Sequence, residues 1–226
     1  MEANHANTSG WVSVYAGAQL SALLGNMEDI RAYVENLNAR PEGRMPLWAI
    51  IVSQIMKGWA IGCAEHLEDG IPLMQKGIEA AEGKNLFHLP HYLSLFAVLQ
   101  ARAANKQDSL SAISKAKKLI AETGEYFWHA DALTIEGELG LLFGASTKEA
   151  EASFAQALEV ARKQQARSFE LRTATSLADL WRRQGNLIGA RNLLAPIYGW
   201  FTEGFDTRDL KEAKDLLGVL ASSGRL

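Results

Sequence analysis

Cysteine is almost absent from this chain of 226 residues: Cys63 stands alone, so neither an internal disulfide nor a metal site built from cysteines can form. A reducing compartment, the cytoplasm, is the expected setting. A dominant charge is lacking as well. Lys and Arg number 23 against 26 Asp and Glu, a formal net charge of −3, and nucleic acid or an anionic membrane would require a concentrated positive face instead. Long apolar runs are missing: Pro46 to Val52 falls far short of the about 20 residues needed to cross a bilayer. Lys and Arg are absent from the first thirty residues, and no apolar signal core accompanies them, so neither a secretion signal nor an anchor is expected.

Catalytic signatures are missing too. The patterns G-x-x-x-x-G-K-[ST], G-x-G-x-x-G, G-x-S-x-G and H-E-x-x-H do not occur, which removes the phosphate cradle, the nucleophile elbow and the zincin helix. Two weaker pairs exist. Cys63 and His66 sit at a turn where a thiolate and an imidazole could meet, and His88 and His91 flank Pro90. Neither pair has further ligands at metal-site spacing, so a buried thiol beside a surface histidine, and ordinary capping or groove lining, are the readings adopted. No catalytic residue, cofactor site or metal site is expected, and the basic run Lys115, Lys117 and Lys118 reads as a solvated helix face.

What is present is a repeat. In Leu133 to Leu158 a helix with Leu133, Gly137 and Leu141 on one side stops at Gly144, a residue suited to a left-handed C-cap. A second helix follows. Ser146 and Glu149 have capping-box spacing, and Ala150, Phe154, Ala157 and Leu158 keep one apolar face. This helical hairpin recurs: small residues fall at Ala18, Gly58, Ala97, Gly137 and Ala178, separated by 40, 39, 40 and 41 positions. The second helices keep the same beat at Ile30, Gly70, Ser109, Ala150 and Ala190, then at Leu37, Gly77, Ala116, Ala157 and Ile197. Gly25-Asn26 and Gly185-Asn186 mark inner turns, while Gly43, Gly83, Gly124 and Gly204 close second helices, where positive φ is expected.

The predicted hairpins pair helices at 10–24 with 27–40, 46–63 with 67–82, 89–103 with 107–122, 127–143 with 147–163, and 168–184 with 186–201. Pro46 and Pro90 fit helix starts, where the missing N–H costs nothing. Pro196 predicts a kink or an early end after Leu194. The boundary at 164–167 has neither glycine nor proline, so its two helices should run nearly into each other. A last helix, 207–222, sets Arg208, Asp209, Lys211, Glu212, Lys214 and Asp215 against Leu210, Ala213, Leu217 and Leu220, as an end cap with a polar outer face requires. One hairpin buries too little apolar surface to stand alone. The expected fold is therefore all-α, a right-handed α-solenoid of about five elongated hairpins plus the capping helix. It forms one domain over 1–226, with the small and polar residues 1–9 expected to be disordered or extended.

Gly137, Gly144, Ala150, Phe154 and Ala157 resemble the tetratricopeptide pattern, and Leu177, Ala178, Trp181, Gly185 and Ala190 match it in part. The period of about forty exceeds the family's 34, so the repeats are tetratricopeptide-like and elongated. Three longer segments, 58–80, 124–139 and 165–217, the last containing APIYGWFTEGFDTRDLKEA, resemble the carboxy-terminal repeat region of bacterial signalling proteins. Those proteins carry a class III adenylate/guanylate cyclase domain and an ATPase domain ahead of the repeats. The resemblance implies a bacterial interaction or sensing role, with a protein or peptide partner that includes such domains of the same or another chain. It implies no catalytic residue.

In such a solenoid the first helices line the concave side. The resemblance selects their inward positions: Tyr15 and Gln19; Ile55, Trp59 and Cys63; His91, Ser94 and Arg102; Asp131, Thr134 and Glu138; Arg172, Thr175, Asp179 and Arg183. This candidate groove is apolar and aromatic at one end and charged at the other, suiting a peptide anchored near Trp59 and near Arg172 or Arg183. Internal pairing, with Glu138 or Asp179 neutralising the arginines, is the competing reading of the charges. The aromatic residues Trp48, Trp59, Phe87, Phe127, Trp128, Trp181, Tyr198 and Trp200 are expected mostly to fill core. A non-catalytic interaction module is the expected function, and a small-molecule sensor arm, with its ligand in the groove or between repeats, is the alternative.

Overall fold

The computed structural model describes residues 16–17, 20–22, 25–38, 46–64, 66–84 and 86–223, and every regular element among them is helical. The helices are α1 (Met27–Asn38), α2 (Leu47–Cys63), α3 (Leu67–Ala81), α4 (Leu89–Arg102) and α5 (Lys106–Thr123). After a 3-10 turn at Tyr126–Trp128 come α6 (His129–Leu142), α7 (Thr147–Lys163), α8 (Arg167–Arg183), α9 (Leu187–Tyr198) and α10 (Arg208–Ser223). The chain divides into two compact units, Met1–Ala112 and Ile113–Leu226, the division falling within α5. Tyr15, Gln19 and Ala18, with most of the helix expected at 10–24 and the closure expected at Gly43, lie outside the described residues.

In the first unit α1 packs on α2, α2 on α3, α3 on α4, and α2 reaches on to α4. The α2–α3 contact depends on missing side chains. A Cβ on Gly58 would lie 2.5 Å from the Met74 amide nitrogen and 2.8 Å from the Gly70 carbonyl oxygen. One on Gly70 would meet the Gly62 backbone, and one on Gly77 would lie 2.6 Å from Ile55 Cγ1. The two backbones therefore touch along most of the hairpin. The buried Ser109 hydroxyl donates to the Ala97 carbonyl at 2.8 Å, using a small polar residue for the same close approach.

In the second unit α6 packs on α7, α7 on α8, α8 on α9 and α9 on α10, while α6 touches α8 and α8 touches α10. Its core runs through Phe154, Leu158, Leu171, Leu177, Leu194, Leu210 and Leu220, all buried. Here the close approach is Gly137 against the ring of Phe154, where an added Cβ would lie 2.7 Å from Cε1. Ser146 caps α7 as its spacing predicts: its Oγ accepts from the Glu149 amide at 3.2 Å, and the Glu149 carboxylate accepts from the Ser146 amide at 2.9 Å. Leu210, Ala213 and Leu220 of α10 are buried while Lys211, Glu212, Lys214 and Asp215 are exposed. Asp209, expected on the solvent side, instead turns inward to Arg172.

The turns repeat one closure. Gly25, Gly144 and Gly185 have φ of 71°, 89° and 85°, and the amide after each returns to a carbonyl five residues back, as in Asn26 to Ser21, Ala145 to Gly140 and Asn186 to Trp181. Gly83, Gly124 and Gly204 likewise have positive φ. The boundary at 164–167 closes in the same manner without glycine: Gln165 takes φ 55°, and Ala166 donates to Ala161. Pro196 does not end its helix at Leu194; α9 continues to Tyr198 and stops there, short of the expected 201. Phe87, Phe127 and Trp200 are exposed rather than core: Phe87 and Trp200 lie outside the α-helices, and Phe127, in the 3-10 turn, meets Phe169 only edge-on.

Alanine at Gly58 or Gly70 should lower the urea midpoint. A wall of backbone must move, an overpacking cost of about 1–3 kcal/mol, against a helix-propensity gain of up to about 1 kcal/mol. Gly218, with nothing near its Cβ position, is the control: the same substitution there should raise the midpoint.

Candidate functional site

On α6, Glu138 is followed within a turn by Leu141 and Leu142, and on α8 Asp179 and Leu180 lie three and four residues after Ser176, with Arg183 one turn beyond them. Both rows lie on one face of a helix. Because α6 and α8 are neighbours, the rows border an open recess of about 750 Å³, completed by Thr147 and Phe154 of α7 and by Gln184. Leu141 is half-buried and Leu142 exposed, so one side presents apolar surface. Acids and an arginine border the rest.

The charges lining this recess and along the helices beside it are mostly paired. Arg172 lies between helices, donating to Asp131 of α6 at 2.6 Å and to Asp209 of α10 at 2.7 Å. Its guanidinium is held well above its ordinary pKa: burial opposes the charge, and the two carboxylates overcome that cost. Beside it, the Thr134 and Thr173 hydroxyls are bonded to each other at 2.6 Å across α6 and α8. Asp179 accepts from Arg182 at 2.8 Å and Arg183 at 2.6 Å. Glu170, buried at the start of α8, would be raised by burial, but Arg162 at 2.9 Å and Arg167 at 2.7 Å hold its carboxyl below the usual range.

Glu138 differs. It is an exposed residue, yet it stands in a recess where protein replaces much of its water, and this loss of hydration pulls its carboxyl above the usual range. The Ser176 hydroxyl, donating at 2.6 Å, opposes the shift; Asp131 adds to it, and Arg172 and Arg208 act against it from farther away. Among the described residues no arginine bridges it.

The structure separates the sequence-selected groove residues. Trp59, Ile55, His91, Ser94, Asp131 and Thr134 are buried between helices, where they pack or bond internally instead of facing an open surface. Ser94, for example, donates to the Pro90 carbonyl at 3.0 Å. Cys63 is half-buried and Arg102 exposed, while Thr175, half-buried, donates to the Leu171 carbonyl at 2.8 Å. Glu138, Asp179 and Arg183 do border one recess. Ser176, Leu141, Leu142, Thr147 and Gln184 were absent from the groove list. Ser176 could have been found three residues before Asp179 and seven before Arg183 on the same face.

Of the two pairs weighed for chemistry, His66 is exposed at the start of α3, and His88 is half-buried with φ 68°. Burial lowers the His88 imidazole to about 4, so it is neutral at pH 7. Among the described residues no group of three His, Cys, Asp or Glu could hold a metal ion. Lys117 pairs with Glu136 at 2.6 Å. The recess offers carboxylate, hydroxyl, guanidinium and apolar contacts, and no histidine or lysine lines it. The chain matches no family model and no curated protein.

Two changes test this electrostatic description. Arg172→Met leaves Asp131 and Asp209 facing each other partly buried, so it should cost about 3–5 kcal/mol in urea unfolding, the range for removing one member of a buried ion pair. Glu138→Gln should act oppositely. A carboxyl whose folded pKa lies above its unfolded value loses stability as pH rises through the interval between them. The variant should therefore be more stable than the parent at pH 7, with the difference vanishing below the carboxylate range in urea titrations repeated across pH.

Proposed function

We propose that the protein is a non-catalytic interaction and regulatory module that holds a peptide segment of a protein partner in the recess between α6 and α8. The observation that carries this reading is the recess itself: about 750 Å³, open to solvent, with apolar and charged walls on helices that an ion pair one turn away ties together. Helix grooves of this kind recognise side chains spaced along a segment. The beat of about forty residues supports elongated tetratricopeptide-like repeats wound in a right-handed sense, with these two helices as inner ones. The resemblance to the repeat regions of bacterial cyclase and ATPase signalling proteins supports a cytoplasmic signalling setting, and it points to such domains, in this or another chain, as partners.

A second reading, a small-molecule sensor arm, is favoured by one observation. The volume falls within the range of about 300–1,000 Å³ typical of ligand pockets.

Ser176→Trp, which fills the recess from α8, separates these readings. Peptides selected from a displayed library should lose binding to this variant while its helical circular dichroism is unchanged; peptides that bind both proteins equally would place the site elsewhere. For the sensor reading, a metabolite at a hundred times its dissociation constant should stabilise the parent by about 2.7 kcal/mol and leave the variant unmoved.

A further inference from the structure

Two acids line the recess, Glu138 and Asp179, and among the described residues only Asp179 is matched by a cation, as are the nearby Asp131 and Asp209. Asp179 has Arg182 and Arg183, Asp131 has Arg172, and Asp209 has Arg172 and also Arg208 at 3.2 Å. Glu138 has a hydroxyl at 2.6 Å and, among the described residues, no bridging cation. Ser176 is a donor but carries no charge, so it fixes the direction of the carboxylate without neutralising it. One turn further along α6, Leu142 leaves most of its surface in water, 62 % exposed, with Leu141 beside it. An oriented acid and an open apolar wall thus stand about 5–6 Å apart, the Cβ spacing of residues four apart on a helix.

From this juxtaposition we infer that the recess takes a partner segment carrying a basic side chain next to an apolar one. The ammonium or guanidinium meets Glu138, and the apolar group packs on Leu141 and Leu142. This rests on the reading of the recess as a peptide site. Charge complementarity selects the basic partner over an acidic one. A carboxylate or phosphate entering here would have to displace Asp179 from Arg183, which Asp179 holds at 2.6 Å, and would then lie near an unneutralised Glu138. A cation supplies the missing charge and restores to Glu138 the stabilisation that its lost hydration removes.

The test uses the full chain, immobilised, and three pools of blocked dodecapeptides randomised except for a fixed Leu and, four residues on, Arg, citrulline or Glu. The Arg pool should be retained at least about tenfold better than the Glu pool, with citrulline between them. That preference should disappear in Glu138→Gln, and all retention should disappear in Ser176→Trp. Equal retention of the three pools, lost in Ser176→Trp, would overturn the basic partner and leave the peptide site standing. An Arg preference that survives Glu138→Gln would overturn the role given to that carboxylate. Retention of no pool, or retention unaffected by Ser176→Trp, would overturn the peptide site together with this inference. Circular dichroism of both variants, with Glu138→Gln expected to be the more stable of the two, separates loss of binding from loss of fold.

Discussion

Helix pairs in this protein are spaced by what glycine omits. Between α2 and α3 the Cβ positions of Gly58 and Gly70 are occupied by backbone atoms of the opposite helix, so the distance between the two axes is set by main chain and not by interlocked side chains. A contact of that kind has little freedom to adjust, because no rotamer change relieves it. Between α6 and α7 the equivalent contact is Gly137 on the ring of Phe154, a side chain with some room to move. The first hairpin is thus the more rigidly specified of the two, although it contains fewer charged residues.

The second unit adds polar locks to this packing. Arg172 ties α6 to α8 and α8 to α10 through two carboxylates, and the Thr134–Thr173 pair lies beside it. A hydroxyl pair and a guanidinium tolerate less misalignment than an oily contact, since hydrogen bonds weaken steeply as their angles open. The recess inherits this precision. Glu138, Ser176 and Asp179 are presented by helices whose relative position is held by bonds one turn before them.

The secondary structure was legible in the sequence because glycine and capping chemistry are local signals. Gly144 and Gly185 have the positive φ their positions imply, and Ser146 with Glu149 forms the box that its spacing predicts. Where a turn uses an unusual residue the signal is weaker. Gln165 adopts φ 55° with no glycine to announce it, and the exposed positions of Phe87 and Trp200 follow from where their helices stop, which composition does not encode. The candidate groove was legible only in part. A helix face can be read from spacing, but whether a neighbouring helix covers it cannot. That is why Thr134 and Asp131 proved buried partners of Thr173 and Arg172, while Glu138, one turn further along, remained open. Asp209 was unreadable as a partner of Arg172, since ion pairs between helices leave no periodic trace.

The ion pairs of Arg172 span 41 residues back to Asp131 and 37 forward to Asp209. Both are long reaches along the chain, so a sizeable loop must close before either bond can form, unlike the contacts within a single hairpin. They also have an order. During synthesis Asp131 and Arg172 emerge before Asp209, so α6 and α8 can pair while α10 is still inside the ribosome. Asp209 arrives last and adds a second carboxylate to a half-buried guanidinium that Asp131 already balances, so docking α10 brings surplus negative charge to this junction, which Arg208 meets from the same helix at 3.2 Å.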